Sequence, residues 1–345
     1  LETKLIIDIL DLWPEALLTS FKSIFIKNLI KITFPFIKNL RYKIWLNADL
    51  ITSCTKEYSE LVKSKINRNA NTFYIGSSLK PIVNKIYKNK EISNLGILLE
   101  NKISVIYSGS YTNNYPIKYI CEAINIILKQ NFLEIVFIFC GDGNQKLLIQ
   151  NLSKKFPNNV FDLGRLNKTD LNDIYNLSSI ALNIYNKDSP VKMPLKLFDY
   201  SLYDLFIINT IEGEASEWIK NEGRGSNFLN NNLENPSQLS EEIKKAITSI
   251  KKSKERLGSK IINNNSSFLA DLNHEKYMQL INTYVSEDMK IMRWKNNNYF
   301  FKKLSETHKK CFANRLLASF SIEFTKLILD SLKKISILDF AAIGK

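Results

Sequence analysis

Val105-Ile106-Tyr107-Ser108-Gly109-Ser110 is an apolar run that ends in a glycine turn, and the same pattern returns three more times before residue 228. A helical pattern follows each turn. Short apolar strands that alternate with helices are typical of a parallel sheet covered by helices. Such sheets bind ligands at the carboxyl ends of their strands, so the turns predict a site for a nucleotide-like ligand. The other three stretches are Ile135–Cys140 with Gly141-Asp142-Gly143, Val160–Leu163 with Gly164-Arg165, and Leu205–Asn209 with Glu212-Gly213-Glu214.

Composition and charge limit the classes of partner. With 345 residues, 45% hydrophobic and 24% charged, the chain has the composition of a globular protein with room for two domains. A formal net charge of +14 favours an anionic partner, such as a nucleic acid, an anionic membrane surface or a phosphorylated substrate. The Lys, Asn and Ile bias of an AT-rich genome explains this charge equally well. Because the lysines are spread along the chain without an aromatic-basic patch, we expect no nucleic acid partner.

The cysteines and the start of the chain bear on its cellular setting. No Cys-x-x-Cys pair occurs, so the common zinc spacing is absent, and buried thiols in a reducing cytoplasm are expected. The sequence has no secretory signal peptide and no apolar run of the roughly 18 residues that a spanning helix needs. Because the chain starts at Leu1 and enters a strand at once, we interpret it as a fragment whose front part is missing. The cysteines are Cys54, Cys121, Cys140 and Cys311.

The pattern along the chain predicts an α/β protein with two Rossmann-like domains, the first incomplete at its N-terminus. In the first domain, residues 4–10 form a predicted strand, and residues 16–42 form a helical pattern that we expect to break near Pro35. The predicted regions are a first domain at 1–88, a linker without clear periodicity at 89–101, a second domain at 102–285 and a basic helical tail at 286–345.

Lys196 and Asp199 are the strongest candidates for ligand contact. They lie three residues apart in the predicted helix of Pro194–Tyr200, so they share one helix face. A lysine there can neutralise a diphosphate, and a carboxylate can accept hydrogen bonds from ribose hydroxyls. The alternative is a surface ion pair, worth under about 1 kcal/mol.

The glycine turns alone are weaker signals. The turn at Gly109-Ser110 lacks the full G-x-G-x-x-G dinucleotide fingerprint. Glycines in Gly141-Asp142-Gly143 allow close approach of the backbone to a ligand. A tight turn before a helix needs the same residues, so both interpretations stay open.

Taken together, the order and spacing of these motifs resemble the retaining, metal-independent glycosyltransferases of family 4, which have the two-Rossmann GT-B fold. The front of the chain is similar to members that build bacterial surface polysaccharides. The resemblance covers roughly residues 4–285. It rests on Asp11-Leu12-Trp13-Pro14-Glu15, Ala48–Thr52, Tyr74–Ser77, Tyr107–Ser110, Phe139–Gly143, Asp162–Arg165, Leu171–Tyr175, Pro194–Tyr200 and Gly213-Glu214.

The resemblance implies a nucleotide-sugar donor in the second domain, a saccharide or lipid-linked acceptor in the first, and no further cofactor or metal. Asp199 would hold the donor ribose, and Lys196 would neutralise the leaving diphosphate. The first acid of the family's Glu-x7-Glu motif falls on Val191, so the carboxylate that contacts the sugar is missing or displaced. Donor contacts are also implied for Gly109 and Ser110 at the phosphates, Gly164 and Arg165 at the base, and Gly141, Asp142, Gly143, Gly213 and Glu214.

Two further positions differ from the family pattern. Leu10 stands where relatives often have His or Arg. The basic residue that many members carry after the first glycine turn has only Lys118 as a distant candidate. His274 and His308 lie outside every motif, and we expect neither to act as a catalytic base.

The segment Phe21–Lys31 alternates apolar residues with lysines. Such a stretch can lie in an anionic membrane interface, which favours a cytoplasmic protein attached to the inner face of the plasma membrane. An ordinary helix with a solvated lysine face explains the pattern equally well.

Two classes of function remain. The first is a glycosyltransferase. The second is a non-catalytic or truncated protein that binds nucleotide-sugar or scaffolds polysaccharide assembly, which Val191 and the start at Leu1 favour. Two-Rossmann sugar-nucleotide epimerases share the fold, and fold alone does not exclude them.

Overall fold

The computed structural model describes residues 4–20, 23–79, 81, 87–100, 102–113, 115–132, 134–187, 189–203, 205–229, 233–254 and 268–284. Contacts between residues divide the chain into two units, Leu1–Gln279 and Leu280–Lys345. Both sheets belong to the first unit. The predicted tail at 286–345, with His308 and Cys311, lies outside the described residues.

The first sheet has three parallel strands, β1 (Ile6–Ile9), β2 (Leu50–Ser53) and β3 (Asn71–Thr72), in that spatial order. A 3₁₀ helix at Glu15–Ser20 and helix α1 (Ile24–Leu46) connect β1 to β2, and α2 (Lys56–Ile66) connects β2 to β3. The expected break at Pro35 is wrong, since α1 continues through it. Pro35 is exposed, so the carbonyl that its missing amide leaves without a donor is on the solvent side.

The second sheet has six parallel strands. They are β4 (Ile103–Ser108), β5 (Ile135–Cys140), β6 (Val160–Asp162), β7 (Ile180–Asn183), β8 (Phe206–Asn209) and β9 (Gly225–Asn227). Their order β6-β5-β4-β7-β8-β9 is that of a doubly wound Rossmann sheet. The predicted α/β architecture with two parallel, Rossmann-like sheets is therefore confirmed. The remaining helices are α3 (Lys90–Leu99), α4 (Ile117–Lys129), α5 (Lys146–Lys155), α6 (Lys168–Leu177), α7 (Leu195–Ser201), α8 (Glu214–Asn221), α9 (Pro236–Lys254) and α10 (Ala270–Tyr284).

The second sheet is buried on both faces, which explains its nearly continuous apolar strands. In β5, Phe137 and Phe139 point into one hydrophobic cluster, whereas Val136 and Ile138 point into the other. Strands β4 and β5 pair in register from Ile103–Ile135 to Ser108–Cys140. Their carboxyl ends are therefore level, and the two glycine turns that follow lie side by side.

Helix α3 occupies most of the predicted linker at 89–101. Asn89 caps its start, and Ile92, Leu95 and Leu99 are buried in the second-sheet core. The expectation of an irregular segment is wrong, because these three residues recur at helical spacing and face one hydrophobic cluster. The predicted domain boundaries themselves stay predictions. Within the described part of the chain, no helix combines the length and apolarity that spanning a bilayer requires.

Candidate functional site

A cleft of about 820 Å³ lies at the carboxyl ends of the second-sheet strands, with the first sheet forming its opposite wall. The strand order reverses between β4 and β7, and ligands of doubly wound sheets bind at such a switch point. The cleft follows this rule, since the turns after β4 and β7 both line it. Residues from the first-sheet side are Leu10, Asp11, Cys54, Thr55, Tyr58 and Ile75.

The structure divides the predicted donor-binding residues into two groups. Those that line the cleft are Gly109, Ser110, Gly141, Asp142, Arg165, Lys196 and Asp199. Those outside its lining are Gly143, Gly164, Gly213 and Glu214. Contact of either group with a donor stays a prediction. Val191 also lines the cleft, so an apolar side chain stands where the resemblance implies a carboxylate.

Hydrogen bonds join the three turns after β4, β5 and β6 in series. The Gly109 amide donates to the Cys140 carbonyl over 2.9 Å, and the Gly141 amide donates to the Gly164 carbonyl over 2.8 Å. A Cβ atom at Gly141 would lie 1.8 Å from the Gly109 carbonyl oxygen. Glycine is therefore required at Gly141 by contact between two turns, independently of any ligand.

Lys196 is the most unusual charged residue of the cleft. It lies in the first turn of α7 and is only 8% exposed, and its Nζ has no hydrogen-bond acceptor among the described residues. The Nζ instead lies 4.3 Å from the ring centre of Tyr107, 5.0 Å from that of Tyr115 and 4.8 Å from that of Tyr185. Burial lowers the pKa of Lys196 to about 7. A buried ammonium without an anion is costly, which makes this position favourable for an incoming anionic ligand.

Asp199 lies on the same helix, but its environment differs. Its Oδ1 accepts a 2.5 Å hydrogen bond from Ser77 Oγ, and no ion pair joins it to Lys196, both residues being described. Burial raises the pKa of Asp199 to about 6, against the opposing effects of the Ser77 hydrogen bond and the Lys168 charge. Ser77 is held in place because its own amide donates to the Phe268 carbonyl over 2.7 Å. The alternative of a surface Lys196–Asp199 ion pair is therefore wrong.

Glu214 connects the two sheets. Its Oε2 accepts the Lys56 amide over 2.8 Å, and its Oε1 accepts a short hydrogen bond from the Tyr74 hydroxyl. The Glu214 amide in turn donates to Glu57 Oε1 over 2.9 Å. Each of the two glutamates thus caps the first turn of the other's helix, α2 or α8. We call this arrangement the Glu57–Glu214 pair; it uses Glu214 for contacts within the protein rather than for contact with the cleft.

The first-sheet wall carries one thiol and one carboxylate at the cleft. Cys54 Sγ donates to the Leu10 carbonyl over 3.2 Å, and burial raises the pKa of Cys54 to about 12. This thiol therefore stays protonated and unreactive at neutral pH. Burial also raises the pKa of Asp11. Cys121 and Cys140 are buried and free, as expected, and Cys54 is also buried and free.

Two functional candidates escaped the sequence analysis, Tyr115 and Tyr185. Neither belongs to a recognisable motif. Their only signal is position, since Tyr185 follows the end of β7 and Tyr115 precedes α4 after the first glycine turn. Lys118 lies away from the cleft, exposed on α4 and paired with Glu122 over 3.8 Å.

Residues 102–249 match the family model described as Glycosyl transferases group 1. This segment contains the whole second sheet and the loops that form the basic side of the cleft. Over this segment, the chain is similar to glycosyltransferases of that family. No curated protein matches the chain.

Three solved structures with similarity to the chain are WaaG, the GtfA/B complex and a putative epimerase. WaaG, a glycosyltransferase involved in lipopolysaccharide biosynthesis, has 14% identity and a TM-score of 0.41, over 57% of this chain and 53% of WaaG. The GtfA/B complex has 12% identity and a TM-score of 0.49, over 71% and 47%. A putative UDP-N-acetylglucosamine 2-epimerase from Listeria monocytogenes has 13% identity and a TM-score of 0.45, over 70% and 61%. The chain therefore spans about half of the length of these proteins.

Proposed function

We propose that this chain transfers a sugar from a nucleotide-sugar donor to a saccharide or lipid-linked acceptor. One observation carries the proposal: a buried lysine, unpaired among the described residues, lines a cleft at the switch point of a sheet that matches a glycosyltransferase family. In this reaction the nucleoside diphosphate is the leaving group, and negative charge develops on it in the transition state. A fixed cation at that position stabilises the transition state more than the ground state.

The remaining residues divide the work as follows. Lys196 neutralises the diphosphate, and Asp199 accepts hydrogen bonds from the ribose. Ser110 offers its backbone amide to the phosphates, Gly109 lets the backbone of this turn approach them closely, and Arg165 lies toward the base. The acceptor enters from the first-sheet wall, near Asp11. We propose that transfer proceeds with retention and without a metal, with the family resemblance as support.

Binding of a diphosphate is expected to be linked to proton uptake. Lys196 has a pKa of about 7 without ligand, so a large part of the population is neutral at pH 7 to 8. An adjacent diphosphate raises that pKa and draws a proton from solution. Affinity should therefore fall as the pH rises through about 7, and binding enthalpies should vary with the ionisation enthalpy of the buffer.

The first test is calorimetric titration of the purified chain with UDP, GDP, CDP and NAD. Lys196→Met should abolish binding of whichever nucleoside diphosphate binds the wild type. Lys118→Met is the matched control, because Lys118 lies outside the cleft. Tight binding of NAD, or binding by Lys196→Met with wild-type affinity, would contradict the assignment.

A second candidate function is nucleotide-sugar binding without transfer, and Val191 favours it. An apolar side chain at this position leaves the sugar without a carboxylate contact. Product analysis separates the candidates once the donor is known. Release of nucleoside diphosphate with a new glycoside supports transfer, an epimerised nucleotide-sugar supports an epimerase, and binding without product supports the non-catalytic protein.

We also propose that α1 attaches this cytoplasmic protein to the anionic inner face of the plasma membrane. The helix contains five basic residues and no acidic one. Four apolar side chains on its outer face are 43–75% exposed. Apolar insertion and basic charge together favour an anionic lipid interface. The four apolar residues are Phe25, Leu29, Ile32 and Phe36.

Sedimentation with lipid vesicles tests this attachment. The protein should sediment with vesicles that contain phosphatidylglycerol and stay in solution with pure phosphatidylcholine. Replacing Phe25 and Phe36 together by Ser should abolish sedimentation. Leu147→Ser, which removes an equally exposed apolar residue from α5, should leave it unchanged. Equal sedimentation of all three proteins would refute the role of α1.

A further inference from the structure

Three tyrosine rings enclose the ammonium of Lys196. Tyr107 comes from β4, Tyr115 from the segment before α4, and Tyr185 from the loop after β7. The ring centres lie 4.3, 5.0 and 4.8 Å from Nζ, all within the range of a cation–π contact. We call these residues the tyrosine cage.

The cage is held in position before any ligand enters. The Tyr107 hydroxyl donates to the Ser110 carbonyl over 3.1 Å, and the Tyr185 amide donates to Thr210 Oγ1 over 2.8 Å. Rings of Tyr115 and Tyr185 meet edge to face at 5.2 Å. Because each ring is fixed by another contact, little conformational entropy is lost when the lysine is held among them.

Among the described residues, no carboxylate accepts a hydrogen bond from Lys196 Nζ. The charged groups of the cleft wall near α7 are Asp142, Arg165, Lys192 and Asp199. None of them accounts for the lowered pKa of Lys196, which has burial as its cause. The ring faces are the described groups that lie close enough to stabilise the charged form through cation–π contacts. A carboxylate partner would do so more strongly, but a diphosphate would then have to displace it.

Gly109 adds no side chain to the surroundings of the ammonium. A Cβ atom there would lie 3.4 Å from Lys196 Nζ and 3.6 Å from its Cε. Any larger side chain at this position would extend across the ammonium. The Nζ is thus buried, with rings on three sides and glycine backbone at the turn that is predicted to face the phosphates.

We propose that Tyr107, Tyr115 and Tyr185 are positioning residues that favour the ammonium form of Lys196 and hold it without an anionic partner until a diphosphate reaches it. This inference rests on the proposed function for the identity of the ligand. The positioning itself is a property of the chain without ligand. The cage stabilises the cation through ring faces that a diphosphate does not have to displace, so the lysine is available to the ligand at once.

The test measures the titration of Lys196 directly. The protein is labelled with ¹³C at lysine Cε, and the Lys196 signal is identified by its loss in Lys196→Met. Tyr115→Leu removes a ring but keeps the site apolar, and it should lower the pKa of Lys196 by about one pH unit. Tyr115→Phe keeps the ring face and should leave that pKa unchanged. The same pair of variants is made at Tyr185, so that one poorly folded variant does not remove the test.

Calorimetry across pH gives the second readout, with the nucleoside diphosphate that the wild type binds from the panel of UDP, GDP and CDP. With Tyr115→Leu the pH at which affinity is lost should move down, and affinity at pH 8 should fall about tenfold. A merely structural defect would weaken binding equally at every pH. Tyr119→Leu, at a buried tyrosine outside the cleft, is the control.

The two readouts separate failure of the cage from failure of the proposed function. An unchanged Lys196 pKa in the Leu variants at both Tyr115 and Tyr185 overturns the cage. A lowered pKa in a protein that binds no nucleoside diphosphate upholds the cage and refutes the proposed function. A Phe variant that lowers the pKa of Lys196 as much as the Leu variant would also overturn the cage. The tyrosine hydroxyl rather than the ring face would then be responsible for that pKa.

Discussion

The first turns of α7 and α8 each contain a buried charged side chain, and the two differ in their hydrogen-bond partners within the protein. Lys196 and Glu214 are each 8% exposed. Lys196 has no hydrogen-bond acceptor among the described residues, whereas Glu214 accepts hydrogen bonds from Lys56 and Tyr74. Lys196 and Glu214 are therefore equally buried but have different roles. A buried charge with all its partners within the protein supports the fold, and one without them is available to a ligand.

The largest expected effect is the loss of turnover in Lys196→Met. Removing the cation should lower the rate of sugar transfer at least about 100-fold, because the developing diphosphate charge is no longer neutralised. Stability should not fall, since a buried ammonium without an anionic partner is removed. Initial rates and the midpoint of thermal unfolding check both statements. Lys118→Met should match the wild type in both, and a transfer rate near wild type in Lys196→Met would remove the distinction between the two helices.

Glu214→Ala should have the reverse profile. It leaves the amides of Lys56 and Glu57 and the Tyr74 hydroxyl without an acceptor, so the free energy of unfolding should fall by about 3 kcal/mol. Nucleotide affinity of the protein that remains folded should stay close to wild type. Urea unfolding and calorimetry measure the two quantities. Glu217→Ala, an exposed position on the same helix, is the control. Lost nucleotide affinity with an unchanged free energy of unfolding would instead indicate that Glu214 contacts the nucleotide-sugar donor, as the family resemblance implies.

Asp199→Asn should stabilise the protein while weakening nucleotide binding. The pKa of Asp199 is raised from 3.8 to about 6 in the folded state, so its carboxylate costs stability as the pH rises through that window. Removing the charge should therefore raise the free energy of unfolding by roughly 1 to 3 kcal/mol at pH 8 and have little effect at pH 4. Urea unfolding at both pH values measures this. Asparagine still accepts the Ser77 hydrogen bond, so a loss of stability at pH 8 would contradict the interpretation.

The smallest effect is expected at Gly213. Its φ of +76° disfavours a side chain, and a Cβ atom would lie 2.0 Å from Glu57 Oε1. Gly213→Ala should therefore cost about 1 kcal/mol for the backbone and more for the displaced carboxylate. Gly223→Ala isolates the backbone contribution, because Gly223 has a φ of +61° and a Cβ atom there would meet no atom within 4 Å. Urea unfolding of both variants measures the difference, and equal losses would show that the Glu57–Glu214 pair adds nothing.

The sequence was sufficient for the second sheet and insufficient for the contacts that distinguish its loops. The apolar strands with glycine turns predicted the parallel sheet, and the Pro194–Tyr200 helix placed Lys196 at the cleft. These features are local in sequence. The Glu57–Glu214 pair is not, since Lys56 and Glu214 lie 158 positions apart. Tyr115 and Tyr185 are brought to Lys196 by the parallel pairing of β4 with β7, which no short motif encodes.

The two wrong expectations about helices have a different cause. Pro35 and the segment 89–101 were interpreted from local rules for helix breaking and periodicity. In α1, the exposed side of the helix tolerates the proline. In α3, three apolar residues at helical spacing were enough to form a helix against the second-sheet core. Tertiary packing decided both cases against the local expectation.

Under the proposed function, the serial hydrogen bonding of the turns after β4, β5 and β6 would limit how donor preference can change, in evolution or by engineering. Backbone contacts from Gly109 to Cys140 and from Gly141 to Gly164 mean that an insertion in one turn moves the next. New preferences are therefore more accessible by exchanging side chains at Asp142 and Arg165 than by altering loop length. A library that varies these two positions together, on an unchanged backbone, is the efficient route to a different donor.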